Sequence, residues 1–177
     1  IAKMNCYPFL MFFCLNGRFI DRKKATVSVL DNGFLYADGF YDTMRVYQGV
    51  IFELPLHLKR IEYSAKEMDM PLPLTQKISA WLRKIITINK LHEARVRMTI
   101  TRGQGPVSLV VDKTTDPTRL MMFRPLEPTL GKAKREGVAG HLASVGSGVS
   151  EHWRQLKALN YLPAILARVE AKRRGCF

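Results

Sequence analysis

Two stretches with a helical period lie between stretches that alternate, and this switch constrains the fold more than any other feature of the sequence. In PLHLKRIEYSAKEMDM, residues 55–70, Leu58, Ile61, Ala65 and Met68 fall on one helical face, and Pro55 suits a first turn. Pro71 and Pro73 end that helix. Residues 75–90 repeat the pattern through Ile78, Trp81, Leu82, Ile85 and Ile86, with Thr75 as the candidate N-cap. On either side the period is two. Asn16-Gly17 between the apolar runs FLMFFCL and FI predicts an opening β-hairpin, and Gln48-Gly49 between residues 40–47 and 50–53 predicts a second. ARVRMTIT, residues 94–101, sends Val96, Met98 and Ile100 to one side, RGQGP turns, and RLMMF, residues 119–123, supplies a further strand. This order implies an α+β fold, with a small two-layer N-terminal domain over residues 1–126.

A Pro-Leu-Glu-Pro-Thr-Leu-Gly segment at 125–131 is the best domain boundary, so residues 127–136 read as a linker and a new strand is expected at about 137–145. Pro163 fits a helix only near its first turn. That helix should therefore start at about Asn160 and leave Lys157 on the connection before it, where it can point into a cleft. The chain begins with Ile1 and stops at Gly175-Cys176-Phe177, where a glycine C-cap would lead onward. Both ends read as cut, and residues 137–177 as the start of a larger, incomplete domain.

Composition narrows the class. With 47% hydrophobic and 24% charged residues and no low-complexity tract, the chain can build a core, and no apolar run approaches the ~20 residues of a membrane helix. The run Pro8–Leu15 is too short for a secretory signal and lacks a cleavage site. Cys6, Cys14 and Cys176 make neither a disulfide framework nor metal-ligand spacing, which implies a reducing, cytoplasmic setting. The four histidines are scattered, so no metal is expected. The net charge of +13 is dispersed and carries no nucleic-acid-binding motif, which points to a generally basic surface rather than a specific nucleic-acid partner.

The blocks ATVSVLDNGFLYADGFYDTMRVYQGVIFELPLHLKRIEYSAKEM, RMTITRGQGP and LKALNYLPAILARVEAKRRG, in this order, resemble the class-IV, fold-type IV pyridoxal-phosphate aminotransferases. The resemblance runs from about residue 15 to the end. It implies that the chain holds the small domain and the beginning of a larger, β-barrel-like domain, in a family that normally forms homodimers with sites near the interface. By the same resemblance the acidic partner of the cofactor ring nitrogen and the backbone loops that bind its phosphate lie beyond residue 177.

Residue by residue, the resemblance assigns Lys157 the role of the lysine that holds pyridoxal 5'-phosphate and moves the proton at the substrate α-carbon. A primary amine on a flexible stem suits both tasks. Arg60, in HLKRI, matches the arginine that binds the cofactor phosphate, for which a guanidinium fork is apt. By position alone, Arg60 is a solvated helix residue and Lys157 a surface lysine; only the motifs reverse that reading. Tyr161 falls where a tyrosine neighbours the cofactor, and Tyr41 where an aromatic ring lines the substrate pocket, although either could be ordinary core. Asp42 replaces a usual glutamate and Ala37 a usual glycine.

RGQGP lacks the spacing of a phosphate loop and reads as a tight turn. Where the D-amino-acid branch has an arginine and a histidine after this turn, this sequence has Val107 and Leu109, which disfavours that branch. The expected reaction is amino transfer between an amino acid, of the L-branched-chain type or similar, and a 2-oxo acid. An aminodeoxychorismate lyase-like enzyme, a non-catalytic dimerising remnant and a basic nucleic-acid-binding module stay as alternatives.

Overall fold

The alternating stretches pair into one sheet and the periodic ones pack on it. The structure, a computed structural model, describes residues 11–106, 108–109, 116–126, 135–144 and 155–176. Strands β1 (Phe12–Leu15) and β2 (Arg18–Asp21) form the opening hairpin, followed by a short helix α1 (Asn32–Tyr36). Then come β3 (Gly39–Tyr47), β4 (Val50–Ile51), α2 (Leu54–Glu67), α3 (Thr75–Ile88), β5 (Ala94–Thr101), β6 (Thr118–Pro125) and α4 (Leu162–Arg173). The six strands are antiparallel neighbours in the order β2-β1-β6-β5-β3-β4.

Period two decides the two faces of this sheet. Met44, Val46, Val96, Met98, Ile100 and Met121 point inward and join Ile61 and Ala65 of α2 and Ile78, Leu82, Ile85 and Ile86 of α3 in a single core. Each such side chain contributes roughly 1.5–3 kcal/mol by leaving water. The intervening residues of β3 and β5, Tyr41, Thr43, Arg45, Arg97 and Thr99, line the opposite face.

Several boundaries differ from the sequence reading. The second hairpin is shorter, because Glu53 turns into the left-handed region (φ 51°) and α2 starts at Leu54. Thr75 is not a cap: Leu74 holds the N-cap position, and the Thr75 hydroxyl instead donates to Glu62 Oε1. Helix α4 begins at Leu162 rather than Asn160, with Pro163 in its first turn, and ends with Gly175 at φ 70° and Cys176 N–H donating to the Ala171 carbonyl, 2.9 Å. Residues 137–144 form no strand, since no described strand lies alongside to complete a ladder; Leu142 is 95% exposed.

Helix α1 lacks any helical period, being a single turn. Asp31 caps it by accepting from Gly33 N–H (2.8 Å), and its other oxygen accepts from the hydroxyls of Thr101 (3.0 Å) and Thr118 (2.6 Å). Those bonds satisfy a carboxylate that is almost fully buried.

Candidate active site

Strand β3 and the segment that precedes α4 bring Tyr41, Lys157 and Tyr161 together, while Arg60, on α2, meets Asp42 on the core-facing side of β3. Ser64 of α2 donates its hydroxyl to the Leu156 carbonyl (3.1 Å), and Leu156 itself is buried. The Lys157 carbonyl accepts from Tyr41 N–H (3.1 Å), Ala158 bridges Phe40, and Leu159 N–H donates to the Gly39 carbonyl (3.0 Å). Gly39 permits this approach: a Cβ there would lie 2.4 Å from the Ile100 carbonyl oxygen and 2.8 Å from Leu159 Cδ1. Lys157 takes φ 51°, a conformation L-residues rarely hold without surrounding support, and its side chain is exposed.

Lys157, Tyr41 and Tyr161 form one group. The Lys157 Nζ lies 5.9 Å from the centroid of the Tyr41 ring. Tyr161, at the N-cap of α4, packs its ring 5.2 Å from that of Tyr41 and donates its hydroxyl to the Tyr41 hydroxyl. Burial pushes the Tyr41 phenol above its ordinary value; Arg97 and Arg60 oppose the shift and Asp42 adds to it. Tyr41 is therefore neutral at physiological pH.

Arg60 belongs to an adjoining cluster. Asp42, 1% exposed, accepts from Arg60 Nε (2.7 Å) and Nη2 (2.8 Å), a bidentate pair, and the Asp42 hydrogen bonds raise the guanidinium above its ordinary value. His57 Nδ1 lies 2.9 Å from Asp42 Oδ1 and 3.1 Å from Arg60 Nη2, so its tautomer sets whether it donates to the carboxylate or accepts from the guanidinium. Arg60 Nη1 makes no hydrogen bond among the described residues, so this end of the fork stays open to a second anion.

Sequence reasoning passed over Arg97. Its guanidinium lies 3.9 Å from the Tyr41 centroid and 5.8 Å from that of Tyr161, Nε donates to Thr99 Oγ1 (3.2 Å), and no carboxylate pairs with it among the described residues. Burial, with Arg124 nearby, lowers it from its ordinary value. The available signal was the strand register, which puts Arg97 beside Thr43 and one inward-outward step from Tyr41 and Thr99. Of the residues bearing on the D-amino-acid branch, Leu109 is exposed and Val107 lies outside the described residues.

An antiparallel sheet backed by two helices thus carries a lysine strapped across its edge beside two tyrosines and Arg97, with Arg60 in the adjoining cluster. Residues 39–177 match the family model for amino-transferase class IV, and the chain belongs to that family, whose enzymes use pyridoxal 5'-phosphate. It is 36% identical over 163 residues, 91% of this chain and 56% of the relative, to a Methanocaldococcus jannaschii protein assigned as a branched-chain-amino-acid aminotransferase. It is 30% identical to the aminodeoxychorismate lyase of Bacillus subtilis over 88% of this chain and 53% of that protein, and D-alanine aminotransferases also match. The branched-chain aminotransferase of Thermoproteus uzoniensis, solved with norvaline, superposes with a TM-score of 0.82 at 26% identity, over 94% of this chain and 58% of that one. The chain thus spans a little over half the length of these relatives.

The residues present suit the cofactor. An exposed primary amine is available for an aldehyde, and a guanidinium with one open end is available for a phosphate.

Proposed function

We propose that this chain contributes the lysine, the arginine and the aromatic wall of an aminotransferase site that moves an amino group between an amino acid, of the L-branched-chain type or similar, and a 2-oxo acid. The observation that carries the reading is the convergence of Lys157 and Arg97 on the ring of Tyr41, with Tyr161 stacked beside it. Pyridoxal 5'-phosphate, when bound, supplies an aldehyde that takes up an amine and a ring that draws electron density from the α-carbon. Lys157 Nζ would hold that aldehyde and would take and return the proton of the α-carbon. Arg60 Nη1 binds the phosphate while Asp42 fixes the plane of the fork through Nε and Nη2. Arg97 holds a substrate carboxylate, and the two tyrosine rings exclude water from that side.

The fragment boundaries belong to the same proposal: residues 1–126 as the small domain, 127–136 as the linker, and 137–177 as the first part of the cofactor-binding domain. Helix α4 exposes Leu162, Ile165, Leu166 and Val169 at helical spacing, which supports its being covered in the assembled, dimeric enzyme. The described cysteines, Cys14 and Cys176, are free thiols, in keeping with a cytoplasmic setting.

Borohydride reduction in the presence of pyridoxal 5'-phosphate, followed by peptide mapping, tests the reading. Label should concentrate on Lys157 and be lost in Lys157→Ala. Labelling spread over surface lysines, or undiminished in the variant, would overturn it. Lyase chemistry would differ by releasing product from one substrate with no amino acceptor.

A further inference from the structure

The helix that carries Arg60 has a second, opposite use. Leu54, Leu58, Lys59 and Glu62 of α2 are turned away from Arg60, Leu58 and Glu62 by almost half a turn, and together with α3 they wall a cavity of about 690 Å³. Strand β4 closes one end through Val50 and Ile51. None of Tyr41, Arg60, Arg97, Lys157 or Tyr161 reaches this groove.

We propose that the groove binds an amphipathic carboxylate, a small molecule with an aliphatic or aromatic body and one anionic end. Its volume falls in the ~300–1,000 Å³ range of small-molecule sites. The floor is apolar, made by Ile51, Leu54, Leu58 and Ile86. Lys59 from α2 and Arg83 from α3 stand on facing walls, exposed, and neither pairs with an acid among the described residues. Glu62, the one acid on the lining, already accepts from the Thr75 hydroxyl. Two basic groups against one engaged acid leave a place for a single negative charge. With one acid against two bases the lining carries a net positive charge, which favours a ligand with a single carboxylate over a zwitterion.

Octanoate is the probe, and octanamide is its uncharged counterpart, each titrated into the ¹⁵N-labelled chain. Octanoate should give saturable amide shifts at Leu54, Leu58, Ser79 and Ile86, and octanamide should bind at least tenfold more weakly. Lys59→Glu combined with Arg83→Glu should weaken octanoate at least tenfold, and Ser79→Trp, which fills the groove, should abolish binding. All these positions are at least partly exposed, and both variants should keep the parent's thermal midpoint. Equal affinity for octanamide, unchanged affinity in the charge-reversed variant, absent shifts, or shifts confined to Tyr41, Arg97 and Lys157 would each overturn the proposal.

Discussion

Ala37 ends α1 in the left-handed region, at φ 56° and ψ 24°, where its Cβ is crowded and a glycine would be at ease. The family's usual glycine at this place thereby gains a physical reason. Ala37→Gly should raise stability by about 1 kcal/mol, read as a higher urea midpoint at unchanged slope. Single residues also show what a sequence can and cannot single out. Lys157 and Arg60 stand out only through their motifs, because neither burial pattern nor period distinguishes them from surface residues. Arg97 was missed for the same reason: an arginine at an outward strand position reads as solvent-facing. Its placement follows from a register fixed by strands distant in sequence. The substitution of aspartate for glutamate at residue 42 was visible, but its bidentate hold on Arg60 needed α2 to be set against β3.

Among the elements, the strands and helices with a strong period were legible: Ile61 and Ala65 of α2, Ile78, Leu82, Ile85 and Ile86 of α3, and Val96, Met98 and Ile100 of β5 are buried as their spacing selects, whereas Leu58, Met68 and Trp81 pack only partly buried at the rim and Ser64 and Ala94 are buried in addition. What the sequence could not supply was anything decided by tertiary contact. Helix α1 has one turn, too short for a period, and exists because Asp31 can cap it while receiving two threonine hydroxyls from β5 and β6. The strand expected from residue 137 has no described neighbour to pair with. The strap from Leu156 to Leu159 depends on Gly39 having no side chain. Gly39→Ala should cost about 1–3 kcal/mol by overpacking. In hydrogen exchange the Leu159 amide, bonded to the Gly39 carbonyl in the parent, should lose more protection than the amides of α3.

For the molecule as a whole, the connection between residues 141–144 and α4 is electrostatic. Glu170 accepts from His141 Nε2 (2.8 Å) and from the backbone and hydroxyl of Ser144 (3.0 and 2.9 Å), bonds that hold it at about 2, well below its ordinary 4.5. A carboxylate lowered in the folded state lends stability that is full above 4.5 and disappears as pH falls toward 2. Glu170→Gln should therefore lower the thermal midpoint at neutral pH, and the difference from the parent should shrink below pH 4.5 and vanish near pH 2. The net charge of +13 sits around this fold without a recognition motif, and it identifies no partner by itself.

The pinning of Lys157 by its own carbonyl and by Leu159 turns the residue into a fixed pivot with a movable arm. Its backbone cannot follow a departing ligand, so the amine sweeps only the shell set by its side-chain length, on the order of 6 Å from Cα. Timing at such a site is then a matter of rotamer changes over picoseconds to nanoseconds rather than of loop travel. The arm can move from one rotamer to the next while the strand beneath it stands still.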